Sequence, residues 1–150
     1  MRVDSDKRIL YHITTKDWGE KVRLIPRTEG EFRSVDEPNI PRICVSENVS
    51  GCMVAVYPCI DHHLPVRVYR TDRRMKAHIP ELVVDSGITR EKWILKSVQM
   101  VLFGTINQSV VPDEFSSMIL DLRDPRTSIT QKKYYRMFRD LEEAGELIIP

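Results

Sequence analysis

Three polar side chains in apolar surroundings could do chemistry: His12, Ser46 and Glu91. His12 lies in a run of β-branched and aromatic residues typical of a buried strand, where an imidazole needs hydrogen-bond partners. Ser46 ends a second short strand where we expect a helix to begin, and a hydroxyl at a helix N-terminus suits an anionic ligand. Glu91 immediately precedes a third strand, so its carboxylate is expected at the rim of a sheet. Together these groups suit binding of a nucleotide-like ligand and stabilisation of a cationic transition state.

Each of these side chains also has a purely structural interpretation, which the sequence leaves open. His12 can be a core histidine bonded to backbone groups. Ser46 can serve only as the N-cap of the following helix. Glu91 can be a solvated residue at the entrance of a strand.

The three stretches resemble, in their order along the chain, the motifs of the ADP-ribosyltransferase superfamily, in the branch that contains rifamycin ADP-ribosyltransferase and the RNA 2′-phosphotransferases. Tyr11-His12-Ile13-Thr14 is similar to the first motif, which usually reads Tyr-His-Gly-Thr. Arg42-Ile43-Cys44-Val45-Ser46, followed by the helix with Gly51-Cys52, is similar to the strand-then-helix second motif. Glu91-Lys92-Trp93-Ile94-Leu95 looks like the third motif, a glutamate that enters a strand.

The resemblance implies transfer of ADP-ribose from NAD to an acceptor, which can be a protein, a nucleic acid or a small molecule. It implies that His12 hydrogen-bonds the adenosine ribose and that the backbone of Ile13, followed by Thr14, clamps the nicotinamide amide. Ser46 is then expected beside the nicotinamide ribose. Glu91 is the expected catalytic residue, because a carboxylate next to an oxocarbenium-like centre is also how glycosidases use charge.

The same resemblance implies an aromatic side chain that stacks on nicotinamide, for which Tyr57 and Tyr69 are the candidates. Ile13 stands where the first motif usually has glycine, and Thr89 stands where members that modify protein arginine tend to carry a second acid. These two positions favour a second hypothesis, a non-catalytic nucleotide- or protein-binding module on the same fold, such as a phage or bacterial accessory protein.

Two further alternatives come from clusters of residues. A third functional hypothesis is a nucleic-acid binder that uses a basic edge, made of Arg67, Arg70, Arg73 and Arg74. A metal site is the other possibility, built from Cys44, Cys52, Cys59, Asp61, His62 and His63. That set has no Cys-x-x-Cys pair and no zinc-finger spacing, so we expect no metal.

Composition sets the broad class. The chain has 150 residues, of which 41% are hydrophobic and 30% are charged, with a formal net charge of +1. This length suits a single domain over residues 1–150. No apolar run approaches the ~20 residues of a membrane span, and three cysteines are too few for a disulfide framework, so we expect a cytoplasmic protein without membrane contact.

The order of strands and helices expected from the sequence predicts an α+β domain with a split, mostly antiparallel sheet. Residues 1–7 are expected to be a loose terminus and residues 27–41 a long surface loop. The strands from Glu91 and from Val98 are separated by so few residues that we expect a bend or bulge between them. A C-terminal helix is expected over residues 128–145, with Gly145 as its C′ residue. Besides these two strands, six others are expected, around Arg8–Thr15, Lys21–Pro26, Arg42–Ser46, Pro65–Arg70, Leu82–Val84 and Leu147–Ile149.

Overall fold

A computed structural model describes residues 2–28, 39–81, 83, 85–118, 121 and 124–150. This part of the chain forms one α+β domain with an antiparallel sheet and a few helices, as predicted. Most of the predicted loop over residues 27–41 and two positions of the predicted strand at residues 82–84 lie outside the described residues.

In the described chain four short strands come first, helices then separate the later strands, and one long helix lies near the C-terminus. The strands are β1 Arg2–Val3, β2 Tyr11–Thr14, β3 Lys21–Leu24, β4 Ile43–Ser46, β5 Arg67–Thr71, β6 His78–Ile79, β7 Glu91–Ile94, β8 Val98–Ile106 and β9 Ile148–Ile149. The α-helices are α1 Val49–Val56, α2 Ser86–Thr89, α3 Asp113–Ser116 and α4 Pro125–Glu143, with 3-10 turns at Tyr57–Cys59 and Gln108–Val110.

The sheet has nine strands in the order β1-β6-β7-β4-β2-β5-β8-β3, and β9 pairs with β8. The strands β2, β4 and β7, which carry the three motifs, are therefore direct neighbours. The final edge strand at Leu147–Ile149 is confirmed by β9.

The connection between β7 and β8 is not the bend or bulge that was predicted, because the two strands are not adjacent in the sheet. These two strands lie on opposite halves of the sheet, with β4, β2 and β5 between them. In a flat sheet they would be roughly 19 Å apart, but the four residue steps from Ile94 to Val98 reach only about 14 Å. The sheet must therefore curl, so that its two halves approach each other.

Two hydrophobic cores cover the two faces of this curled sheet. The first core packs α1 and α4 against the sheet and includes Ile13, Met53, Val68, Phe115 and Phe138. The second core fills the curl and includes Leu10, Val45, Tyr69, Ile94 and Met100. Val22 and Leu24 share one face of β3, since both pack against the second core.

The strands β2 and β4 pair at one position among the described residues, Tyr11 opposite Ser46. On its other side β2 pairs with β5 along its full length, from Tyr11–Arg70 to Thr14–Arg67. A gap therefore opens between β2 and β4 beyond the Tyr11–Ser46 pair, and we call this gap the split.

The helix after β4 begins two residues later than predicted. Its N-cap is Asn48, whose side chain accepts a 2.7 Å hydrogen bond from the Gly51 N–H, so the prediction of Ser46 as N-cap is wrong. A carboxylate from α4 adds a second cap, because Glu142 accepts hydrogen bonds from the N–H groups of Val49 and Ser50. The long C-terminal helix thereby holds the start of α1.

The two chain ends also correct the predicted boundaries. Residues 2–3 are an edge strand paired with β6, and not a loose terminus, because Asp4 is buried and its carboxylate accepts a 2.7 Å hydrogen bond from Arg8. Helix α4 begins at Pro125, three residues before the predicted start, with Asp124 as its N-cap. Gly145 has a φ of 75°, which confirms it as the residue after the C-cap.

The packing of α1 against the residue before β7 leaves no room for a side chain at Gly51. A Cβ atom there would overlap the backbone oxygen of Thr89 and the hydroxyl of Ser46. We expect Gly51→Ala to lower the free energy of unfolding by about 3 kcal/mol, because a rigid backbone contact must move. The matched control is Gly87→Ala in α2, where a Cβ meets nothing within 4 Å. Urea denaturation of both variants checks this, and equal stability of the two would contradict the packing.

The buried carboxylate of Asp4 predicts an acid-sensitive N-terminus. Burial opposes its ionisation, but hydrogen bonds from the Arg8 side chain and the Asp6 N–H outweigh burial, so the pKa of Asp4 is lowered. A lowered folded pKa stabilises the protein above the unfolded pKa of about 4, and this contribution is lost as pH falls through the folded value.

Asp4→Asn is therefore expected to cost about 1 kcal/mol at neutral pH. The cost should shrink as the pH is lowered below about 4. Asp6→Asn is the control, because its carboxylate is exposed and its ion pair with Arg8 contributes little. Urea denaturation from pH 7 to pH 3 measures the difference. A cost for Asp4→Asn that does not depend on pH would contradict the assignment.

Candidate functional site

The register brings two of the three predicted site residues into one row across the sheet. Ser46 lies opposite Tyr11 on one side and opposite Glu91 on the other. Directly opposed residues of antiparallel strands share a face, so Tyr11, Ser46 and Glu91 form one row, which we call the Glu91 row. It crosses the closed end of the split.

Ser46 is a buried connector in this row. The residue is only 3% exposed, and its hydroxyl donates a 2.8 Å hydrogen bond to the carbonyl oxygen of Thr89. The hydroxyl oxygen of Ser46 in turn accepts a longer hydrogen bond of 3.4 Å from the N–H of Asn48. Ser46 therefore ties the end of β4 to the residues that lead into β7, and so fixes where Glu91 begins its strand.

Glu91 is half-buried, and its carboxylate has a defined direction. The indole N–H of Trp93 donates a hydrogen bond to it at 2.5 Å. Trp93 lies opposite Cys44, two residues beyond the Glu91 row. The bond therefore holds the carboxylate along β7, toward the level of the open part of the split, with β4 between them. Trp93 is itself buried under the guanidinium of Arg42, which lies 4.2 Å from the ring centroid.

The His12 ring bridges the split. Its Nδ1 lies 2.8 Å from the carbonyl oxygen of Cys44 on β4, although the two strands have stopped pairing at this point. Since a carbonyl oxygen only accepts, Nδ1 carries the proton, and Nε2 of the neutral ring is an acceptor. Alternation turns His12 to the opposite face from the Glu91 row, and its ring stacks on Trp18 with centroids 5.8 Å apart.

The backbone of Ile13 faces the split. Thr71 N–H donates to the Leu10 carbonyl, so Leu10, His12 and Thr14 direct their peptide groups to β5. Hydrogen-bonding directions alternate in an antiparallel strand, so the N–H and C=O of Ile13 point to the β4 side. The Ile13 side chain is 5% exposed and packs in the first core. A branched side chain at this position therefore does not obstruct the split.

The two tyrosines considered as stacking partners are not at the split. Tyr57 is 2% exposed and stacks with His62 and Phe115 in the first core, where burial raises its pKa. Tyr69 is buried in the second core, and its hydroxyl donates to the carbonyl of Gly19. The structure places neither beside Glu91.

Sequence reasoning missed the two tryptophans and Arg42. Trp18 covers one side of the His12 ring, and Trp93 orients the Glu91 carboxylate. Trp93 could have been found from its spacing, because residues i and i+2 of a strand share a face. Trp18 lies in a connection that we treated only as a turn, and no sequence signal links it to His12.

The predicted basic edge is not one surface. Arg67 and Arg70 are three residues apart in a strand that pairs regularly with β2, so their side chains point to opposite faces of the sheet and do not form one edge. Arg67 lies 3.6 Å from the carboxylate of Asp17, and Arg70 lies 4.4 Å above the Phe103 ring.

The cysteines and histidines of the alternative metal set are dispersed in the described structure. Burial, reinforced by the negative charge of Glu142, raises the pKa of the Cys52 thiol well above its usual range. His62 is held against the carbonyl of Tyr57. Among the described residues, no three His, Cys, Asp or Glu side chains come together as a metal site requires. None of the described helices has the length and apolar character needed to cross a membrane.

Comparison with protein-family models, with curated proteins and with solved structures gives no match for this chain. The likeness to ADP-ribosyltransferases therefore remains a resemblance between short motifs. The geometry of the split and of the Glu91 row is what bears on function.

The contact between His12 and Cys44 makes a spectroscopic prediction. We expect the neutral ring of His12 to carry its proton on Nδ1, because that nitrogen faces a carbonyl oxygen. A long-range proton–nitrogen correlation spectrum distinguishes the two tautomers. His63, whose ring is exposed, supplies a reference in the same sample. Protonation of Nε2 with a bare Nδ1 would contradict the contact.

Proposed function

We propose that this protein is an NAD-dependent ADP-ribosyltransferase and that its sheet is of the ADP-ribosyltransferase type. One observation carries the proposal. The three motif strands are neighbours, and their chemically useful groups lie at or next to the split: the Ile13 backbone on β2, the His12 ring across the gap and the Glu91 carboxylate on β7, one strand beyond β4. A cytoplasmic location belongs to the proposal, and the free thiols of Cys52 and Cys59 are compatible with it.

The Ile13 backbone suits the nicotinamide amide. A carboxamide has one acceptor oxygen and an NH₂ donor group, and the N–H and C=O of one residue in an extended strand offer the complementary pair on the same side. The side chain of Ile13 packs in the first core, on one face of the sheet, and so does not point along this edge. Isoleucine can therefore replace the usual glycine of the motif without blocking a backbone clamp.

His12 suits a ribose hydroxyl. With Nδ1 donating to Cys44, the lone pair of Nε2 accepts a hydrogen bond from a hydroxyl group. Trp18 holds the ring plane from one side, so this acceptor has a fixed direction. Thr14 follows on the same strand, and its hydroxyl accepts from the N–H of Lys16, which stabilises the turn after β2.

Glu91 is the proposed catalytic residue. Its carboxylate stabilises the positive charge that develops on the ribose carbon as the bond to nicotinamide breaks and nicotinamide leaves with the bonding electrons. A nucleophile of the acceptor then forms the new bond to that carbon and loses its proton. The hydrogen bond from Trp93 fixes the carboxylate in place, so little reorganisation is needed during the reaction.

A second candidate is a nucleotide-binding module without transfer activity. The observation in its favour is that Ser46 is buried and its hydroxyl is engaged with the Thr89 carbonyl. A side chain in that state supports the sheet and does not bind a ribose directly. On this alternative the split binds a nucleotide, and the Glu91 carboxylate has only a structural role as the acceptor for Trp93.

Release of nicotinamide from NAD by the purified protein tests the proposal. We expect release by the unaltered protein, and a fall of about 10²–10³-fold in Glu91→Gln, which keeps the shape of the side chain but removes its charge. Glu114→Gln is the matched control, because Glu114 is exposed in the distant helix α3. Chromatographic quantification of nicotinamide measures the rates, and urea denaturation shows that each variant is folded.

Trp93→Phe refines the same experiment, because it keeps an aromatic ring under Arg42 but removes the donor to Glu91. We expect a smaller loss of about tenfold. NAD binding without release, weakened in His12→Ala, would favour the nucleotide-binding module. If the protein neither binds NAD nor releases nicotinamide, NAD is rejected as the ligand.

A further inference from the structure

A cavity of about 180 Å³ opens at the end of the sheet, outside the split. Its polar lining comes from four separate stretches: β3, the residues after β5, the connection between β7 and β8, and the start of β8. The lining residues that matter here are Arg23, Asp72, Arg73, Lys96, Ser97 and Gln99. We call it the basic cavity.

The sheet register explains why these distant residues meet. Arg23 lies opposite Gln99, and the N–H of Asp72 donates to the Gln99 carbonyl at 3.3 Å. Lys96 and Ser97 come from the short crossover that forces the sheet to curl. The constraint that closes the fold therefore also places Lys96 beside two arginines of the opposite half-sheet.

The charges of the cavity are unbalanced. Three cations line it, and the carboxylate of Asp72 is the one anion among its lining residues, which leaves two net positive charges. In the described part of the chain, the side chains of Arg23, Arg73 and Lys96 form no ion pair and no hydrogen bond. Elsewhere in the chain, Arg8, Arg126 and Arg139 all pair with carboxylates.

We propose that the basic cavity binds a phosphate group. Two guanidinium groups offer planar forks that match phosphate oxygens, and the Lys96 ammonium adds a point charge. Ser97 and Gln99 supply neutral donors for the remaining oxygens. The two net charges match those of a phosphate monoester, whereas a carboxylate offers two oxygens and a single charge. The phosphate belongs either to a small phosphorylated compound or to a nucleic-acid strand.

The position of the cavity separates it from the proposed NAD site. The Glu91 row continues across the other half of the sheet through Arg70 on β5, Val101 on β8 and Lys21 on β3. On each of these three chain segments, the cavity residue lies two positions away in the same direction along the sheet: Asp72, Gln99 and Arg23, respectively. The cavity therefore lies on the same face of the sheet as that row but beyond the closed end of the split. A ligand held here does not compete with one held between β2 and β4.

Titration calorimetry with pyrophosphate tests the proposal without NAD. We expect binding that weakens about tenfold or more in the double variant Arg23→Gln/Arg73→Gln, because two charged hydrogen-bond donors are lost. The matched control is Lys132→Gln/Arg136→Gln in α4, which removes the same charge from exposed positions outside the cavity. Its affinity should change by less than about threefold.

A single-stranded oligonucleotide of about ten residues distinguishes the two sources of phosphate. If the ligand is a nucleic-acid strand, the double variant weakens oligonucleotide binding and reduces the salt slope by about 1.4, while the control leaves both unchanged. If only pyrophosphate responds, the ligand is a small phosphorylated compound. Absence of pyrophosphate binding, equal losses in variant and control, or equally tight binding of hexaglutamate would overturn the proposal.

Discussion

The crossover from β7 to β8 is the constraint on which the rest of this fold depends. Four residue steps must join strands that stand four places apart in the sheet order, which a flat sheet does not allow. The sheet therefore curls around the second core, and its middle strands β2 and β4 separate after a single pair. The split, with the His12 ring across it, is a consequence of that closure. The same crossover contributes Lys96 and Ser97 to the basic cavity.

Local structure was largely predictable from sequence because it depends on neighbouring residues. The β-branched and aromatic residues around His12 identified the strand β2, and the C-terminal helix was expected within three residues of its observed start. Gly145 marked the helix end, since it supplies a positive φ. The predicted α+β class with an antiparallel sheet is confirmed for the same reason: each short strand shows its own period.

Features that depend on distant partners were not predictable. Serine and asparagine are both good N-cap residues, so the sequence does not distinguish Ser46 from Asn48. Because the Ser46 hydroxyl donates to the Thr89 carbonyl, Asn48 caps the helix instead. Asp4 orders the N-terminus through contacts that a polar composition does not reveal. Tyr57 was a candidate to stack on nicotinamide, yet it is buried in the first core. The strands β7 and β8 looked continuous because sequence proximity says nothing about sheet order.

The groups at the split differ in how they are held, and this difference limits what each can do. Ser46 is fully engaged inside the protein, so it acts on any ligand only through the position of β7. His12 and Glu91 each have a polar atom held by a neighbouring residue, which orients the ring and the carboxylate, and both residues are only partly buried. Oriented groups of this kind lose little entropy when a ligand binds or charge develops nearby. A site that depends on such preorganisation is sensitive to its supports, which here are Trp18, Trp93 and the contact between Gly51 and Thr89.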